Sequence, residues 1–246
     1  MKRILAALAL LTTFAATGQA QPAPSFTPQQ QQEIVGIVRA ALKSDPSILR
    51  DAITALQEED RLKQEVVART AIQQAGDALA KTPGDPVAGN PNGDVTVVEF
   101  YDLRCPYCRR MLPVDAELLA SDGKLRLVYK DIPILGPESL LGAKAVLAAQ
   151  RQGGFLKLHD AIMRGTPNIT EASLHEAADA VGLDWPRLLR DMADPLVRAR
   201  IDANLELARS LGVDGTPAYV VGRKMLPGAM DLSVLRDAVA ATRKQE

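Results

Sequence analysis

The chain has 246 residues, 47% hydrophobic and 24% charged, with a formal net charge of −1. This composition is that of a globular chain and excludes a disordered polypeptide, a collagen and a multi-span membrane protein. Without Lys2 and Arg3 the charge becomes about −3, so no basic surplus points to nucleic acid as a partner.

Residues 1–20 read as a cleavable export signal. Lys2 and Arg3 supply the positive end, Ile4 to Ala16 an apolar run broken only by Thr12 and Thr13, and Gly18-Gln19-Ala20 the small residues around a cut. The alternative is a membrane anchor, but the run is short against the roughly 20 residues a spanning helix needs. The signal points to bacterial export to the periplasm, where disulfides form and persist.

Residues 21–26 (QPAPSF) form a lead-in. Thr27-Pro28-Gln29-Gln30 then has the pattern of a helix start, with Thr27 as N-cap, Pro28 in the first turn and Gln30 closing a capping box. Ile34, Ile37, Val38 and Ala41 follow at helical spacing. Ser44-Asp45-Pro46 ends this helix and caps a second, striped by Leu49, Ala52, Ile53 and Leu56. The stripe weakens through the charged stretch at 58–65, either a continuous helix or a hinge that would give the two domains mobility. It returns loosely at Val66, Ile72, Ala75 and Leu79. Residues 27–81 are therefore expected to be amphipathic helices, and a narrow apolar stripe has to be buried against something. The chain's own second domain and further copies of the chain are both open as that something.

Residues 82–94 (TPGDPVAGNPNGD) read as a turn-rich linker at the domain boundary. Val95 to Tyr101 is β-branched and aromatic, and predicts a buried strand. It leads into Cys105-Pro106-Tyr107-Cys108 and a helix over 109–120. A second strand is expected over 125–135 and helices from 137 to about 212, broken at Gly153-Gly154, Gly165-Thr166-Pro167 and Asp184-Trp185-Pro186. Gly215-Thr216-Pro217 precedes a third strand at 218–221, a short strand or turn follows near Met225, and a last helix runs from Asp231 to about Arg243. The order predicts an α/β sheet over 95–246 carrying an all-helical insertion.

Cys105 and Cys108 are the chain's two cysteines, too few for a disulfide scaffold or a four-ligand zinc site. At a strand-to-helix junction Cys105 meets the unsatisfied N–H groups and dipole of a helix start, which stabilise a thiolate. Cys108, one turn on, faces the same side and can attack a mixed disulfide formed at Cys105. A purely structural disulfide gains little from so short a loop. Two inert thiols do not suit an oxidising compartment, and a Cu(I) site at Cys105 and Cys108 stays open. Glu99 sits in an otherwise apolar strand six residues before Cys105. It is either an edge residue facing water or a buried acid handling the second cysteine's proton. Thr216-Pro217 at a strand start is consistent with a cis peptide, an ordinary trans proline being the alternative. His159 and His175 each stand alone and read as packed or surface residues; no cofactor box appears.

FYDLRCPYC, a long helical insertion and GTPAYVVG together resemble the DsbA-like branch of the thioredoxin superfamily over about residues 90–244. The resemblance implies a thioredoxin fold, no cofactor, Cys105 as nucleophile and Cys108 as resolving cysteine. It also implies that Glu99 is the buried acid, with Lys130 as its basic partner. Thr216 and Pro217 then face the disulfide and, with Pro106 and Tyr107, meet substrate. The helical segment at 27–81 is similar to the N-terminal region of ScsC-type and Com1-like proteins. That likeness implies a homo-oligomer, trimer favoured, and disulfide isomerase or reductase work on misfolded or reduced exported proteins. A membrane thiol reductase of the DsbD or ScsB kind would keep the pair reduced. Pro-Tyr between the cysteines, where strongly oxidising members carry Pro-His, points to a milder oxidant. A monomeric oxidase of the same fold and a copper-tolerance protein binding through both thiolates are the alternatives.

Overall fold

The computed structural model describes residues 26–244. The expected signal and residues 21–25 lie outside the described residues. The chain divides into two compact units at Glu58/Glu59.

The first unit holds α1 (Pro28–Ser44) and the start of α2 (Ser47–Ala75). α1 begins as its sequence demands. The Thr27 hydroxyl accepts from the Gln30 N–H at 3.3 Å, and the Gln30 side chain accepts from the Thr27 N–H at 2.9 Å. Asp45 opens α2 by accepting from the Ser47 N–H at 3.0 Å. No residue of α1 is buried, and Ile34, Val35, Ile37 and Val38 are all exposed. The charged stretch at 58–65 is helical, with Lys63 reaching Glu59 at 2.6 Å and Arg61 paired with Glu65.

The second unit includes the short helix α3 (Asp77–Ala80) and is built on a five-stranded sheet. Its strands are β1 (Val87–Gly89), β2 (Val95–Tyr101), β3 (Leu125–Asp131), β4 (Ala218–Val221) and β5 (Lys224–Pro227), in the order β1-β3-β2-β4-β5. β2 and β3 run parallel; the other pairings are antiparallel. α4 (Pro106–Ser121) connects β2 to β3. The insertion is α5 (Pro137–Ala149), α6 (Phe155–Arg164), α7 (Glu171–Ala180), α8 (Trp185–Met192) and α9 (Pro195–Ser210), and α10 (Leu232–Arg243) ends the fold. This is a thioredoxin-like core with a helical insertion. The sequence breaks fall where expected: Gly153 sits at φ +67° after a 3-10 turn, and Asp184 caps α8.

Strand parity sorts the core into two layers, because alternate side chains face opposite ways. Val97, Glu99, Tyr101, Leu127, Tyr129, Tyr219 and Val221 share one face, under α4, α10 and the insertion. Val98, Phe100, Val128, Lys130, Ala218 and Val220 share the other, where Ile72, Leu79, Ala208 and Leu211 cover them.

Three differences from the sequence reading have local causes. β1 lies within the stretch read as a linker; its three residues follow Pro86 and end at Gly89, which reads as a turn but pairs at the sheet edge. At Gly89, φ is +75° and an added Cβ would stand 2.6 Å from the Leu125 carbonyl oxygen, so the turn requires glycine. β3 stops at Asp131 rather than running to Leu135, because Pro133 cannot donate to a ladder and the N–H groups of Ile134 and Leu135 turn to Asp102. Residues 72–85 also belong to the second unit. Lys130, buried on the outer layer of the sheet, donates to the Ala78 carbonyl at 3.1 Å and to Asp85 at 2.6 Å. Arg200 of α9 donates to the other Asp85 oxygen at 3.0 Å, and Arg126 and Arg200 bind the carbonyls of Ala80 and Pro83, each at 2.5 Å.

Breaking one side of a buried ion pair leaves an uncompensated charge and costs about 3–5 kcal/mol, whereas an apolar replacement of both partners is often neutral. Asp85→Ala should therefore lower unfolding free energy by about that amount in denaturant titration. Adding Lys130→Met to the same chain should restore most of it.

Candidate active site

β2 ends at Tyr101, and the next residue fixes the junction to α4. Asp102 is fully buried, and its carboxylate accepts four hydrogen bonds. They come from the N–H groups of Arg104 (2.8 Å), Ile134 (2.9 Å) and Leu135 (3.0 Å) and from the Ser139 hydroxyl (2.8 Å). The Asp102 carbonyl accepts from the Cys105 N–H at 3.0 Å. Cys105 is thereby held as the N-cap of α4, with Pro106 in the first turn. Its sulfur is 3.2 Å from the Thr216 carbonyl oxygen, across from the cis Thr216-Pro217 peptide at the start of β4. Cys108 is buried one turn further into the helix.

The two thiols differ in kind. Cys105 is lowered to about 5, first by the hydrogen bond from the Cys108 thiol, then by the Thr216 side chain and the N–H groups of Cys108 and Tyr107. Burial works against this shift and is outweighed. Cys108 is pushed far up, chiefly by burial, then by its bond to Cys105 and by the charge of Glu99. At neutral pH this difference puts the charge on Cys105 and leaves Cys108 protonated.

Glu99 lies on the dithiol side of the sheet and is 2% exposed. It is not the edge residue of the alternative reading. Burial first, then the neighbouring Asp115 charge, raises its carboxyl well above the usual range, and a bond from Tyr219 opposes that rise. Asp115 and Tyr219 were not singled out from sequence. Tyr219, directly across from Glu99 on β4, has its hydroxyl 3.1 and 3.0 Å from the two Asp115 carboxylate oxygens. Asp115 follows Cys108 by seven residues, two helical turns along one face, and that spacing was the available signal.

Lys130 does not partner Glu99. In the register Glu99 stands opposite Tyr129, so Lys130 points through the other face of the sheet, to Asp85. Pro106 and Tyr107 are exposed beside Cys105, with the Arg110 guanidinium 4.6 Å above the Tyr107 ring. Arg109 binds the carbonyls of Met163, Gly165 and Thr166 and so fastens the loop after α6 to α4. His159 is packed among Tyr101, Tyr129 and Phe155, and His175 stacks on Trp185.

Residues 96–240 match the model of the DSBA-like thioredoxin domain. The chain belongs to that family. Residues 30–61 match a second model, the N-terminal domain of copper resistance protein ScsC. Among solved structures, the DSBA-like domain is similar to a thioredoxin-like oxidoreductase from Silicibacter pomeroyi DSS-3. That protein is 45% identical with a TM-score of 0.67, over 69% of this chain and 98% of the other. Proteus mirabilis ScsC in a transitional conformation is 29% identical with a TM-score of 0.66, over 90% of this chain and all of that one. A curated relative, Na(+)/H(+) antiporter NhaA 3 of Salinispora tropica, is 32% identical over 157 residues, or 63% of this chain. This DSBA-like chain matches only 24% of that relative's length, so the likeness concerns a minor part of it.

The lowered Cys105 thiol has a direct readout. In the reduced protein, thiolate absorbance should titrate with a midpoint near 5, and alkylation of Cys105 should be flat above it and fall about tenfold per pH unit below it. In Thr216→Val the loss of the side-chain bond should move the midpoint upward.

Proposed function

We propose that the protein is a thiol–disulfide oxidoreductase of exported proteins in the periplasm, working in the isomerase or reductase direction. The observation that carries the chemistry is the unequal pair at the start of α4. The Cys105 thiolate faces the cis Thr216-Pro217 peptide, and the Cys108 thiol is held back behind it. The Cys105 thiolate attacks a substrate disulfide and forms a mixed disulfide. Cys108, once deprotonated, displaces the substrate sulfur, or the substrate's own thiol releases Cys105 and leaves a rearranged pairing. Pro106, Tyr107, Thr216 and Pro217 are the surface that would meet the substrate chain.

The exposed apolar stripe of α1 and the match of residues 30–61 to the ScsC N-terminal domain support self-association through the N-terminal helices. Several thiol sites would then be presented to one misfolded substrate, and a trimer is the favoured count. The pair would be kept reduced by a membrane thiol reductase of the DsbD or ScsB kind. One observation favours the opposite direction: a thiolate stabilised to about 5 stabilises the reduced protein and makes its disulfide a better oxidant.

Reactivation of a scrambled-disulfide substrate separates the two. The mature chain is compared with Ile34→Asp/Val38→Asp, which charges the stripe and leaves the DSBA-like domain whole. The expected result is a smaller assembly and at least a tenfold loss of reactivation, with oxidation of a reduced peptide unchanged. If neither protein reactivates and both oxidise the peptide, the oxidase reading replaces this one.

A further inference from the structure

Behind Cys108 three buried groups from three elements meet: Glu99 from β2, Tyr219 from β4 and Asp115 from α4. Glu99 and Tyr219 are register partners on one face of the sheet, and the Tyr219 hydroxyl bonds Asp115 at 3.0 and 3.1 Å. All three are at most 3% exposed. Two carboxyls this deep cannot both hold a charge without a cation between them. Among the described residues no lysine or arginine is paired with either carboxyl, and the buried Lys130 lies on the other face of the sheet. A phenol offers one proton to donate and lone pairs to accept. It can donate to an ionised Asp115 while accepting from protonated Glu99, or donate to an ionised Glu99 while accepting from protonated Asp115. Both arrangements satisfy every group and hold one carboxyl proton.

We propose that Glu99, Tyr219 and Asp115 form a one-proton store behind Cys108, in which Asp115 is the positioning residue that sets when Glu99 is free to take the Cys108 proton. The inference rests on dithiol chemistry at Cys105 and Cys108, in either direction. In the resolving step the Cys108 S–H proton passes to the Glu99 carboxylate. The Cys108 sulfur then bonds to the Cys105 sulfur, and the bond from Cys105 to substrate breaks. The substrate sulfur leaves as a thiolate with the electron pair. The two cysteines are oxidised to a disulfide and the substrate sulfur is reduced. The store supplies the ionised Glu99 by keeping its one proton on Asp115. In the opposite direction each transfer reverses.

Other groups face this space. Tyr129 and Asp131 come from β3, Tyr101 from β2, and the two cysteines from α4. His159 of α6 packs edge-on against Tyr101 and tilted against Tyr129, and α10 brings only Leu235, Ala238 and Val239 as buried residues. Asp115, at about 7, is poised to gain or lose a proton at neutral pH.

The test follows the resolution rate of a Cys105 mixed disulfide against pH, in the full chain. The rate needs ionised Glu99, so its midpoint reports that carboxyl. Asp115→Asn removes the charge that raises Glu99 and should move the midpoint down by about one pH unit or more. Tyr219→Phe removes the bond that favours ionised Glu99 and should move it up. The Cys105 thiolate titration should stay in place in both. A merely structural role for Asp115 would change stability and leave the midpoint alone; that result, or shifts of one sign in both variants, would overturn the proposal. If either variant does not fold, the native protein decides through infrared difference spectra between its dithiol and disulfide forms with isotope-labelled aspartate. A protonated-aspartate band should change alongside a glutamate band, and a glutamate band alone would overturn the store. A native protein unable to resolve any mixed disulfide would instead sink the dithiol reading itself.

Discussion

Four donors converge on the Asp102 carboxylate, from the residue two ahead of it, from the turn after β3 and from the first turn of α5. A buried carboxylate without such donors would cost several kcal/mol, so the three segments are obliged to meet at this point. The meeting closes the end of β2 against the crossover into the insertion, and the Asp102 carbonyl then sets where α4 starts. The placement of Cys105 at the helix N-terminus is thus a consequence of a carboxylate three residues upstream. The lowering of the thiol follows from that placement, because Cys108 and the N–H groups of Tyr107 and Cys108 belong to the first turn of the helix, with Thr216 joining them from the opposite loop.

The sheet imposes the second constraint. Its two-residue period sends Glu99 and Tyr219 under α4 and sends Lys130, one step along from the partner of Glu99, through to the far layer. The same parity keeps that lysine away from Glu99 and leaves the far layer with a lysine that needs a carboxylate. Asp85 meets that need from a segment whose prolines and glycines give it the look of a loose tether.

The fold was legible because its signals are local. The capping box at Thr27, the β-branched run at 95–101, the glycine pair at 153–154 and the Asp184 cap each act within a few residues, and each appears where the sequence places it. The placement of Cys105 and Cys108 at the start of α4 was legible for a related reason, since a strand, a Pro in the first turn and a helix lie beside them in sequence. Lys130 and Asp115 were not. Which face a strand residue takes depends on register with a neighbour far away in sequence, and the partner of Lys130 is 45 residues upstream. The Pro-Tyr dipeptide was read for the charge it lacks, whereas the Cys105 thiolate is held by its resolving partner, by Thr216 from the opposite loop and by backbone donors, none of which a dipeptide reveals.

The fastening of residues 78–85 has a mechanical consequence. Three basic side chains grip this segment through the Ala78, Ala80 and Pro83 carbonyls and the Asp85 carboxylate, and two of them, Arg126 and Lys130, stand on β3. A pull along the chain toward its N-terminal end is therefore carried into a strand inside the sheet rather than absorbed by slack. The strand that takes the load holds Lys130 on one side and Tyr129, the neighbour of Glu99, on the other, so the anchorage and the proton chemistry share one lever.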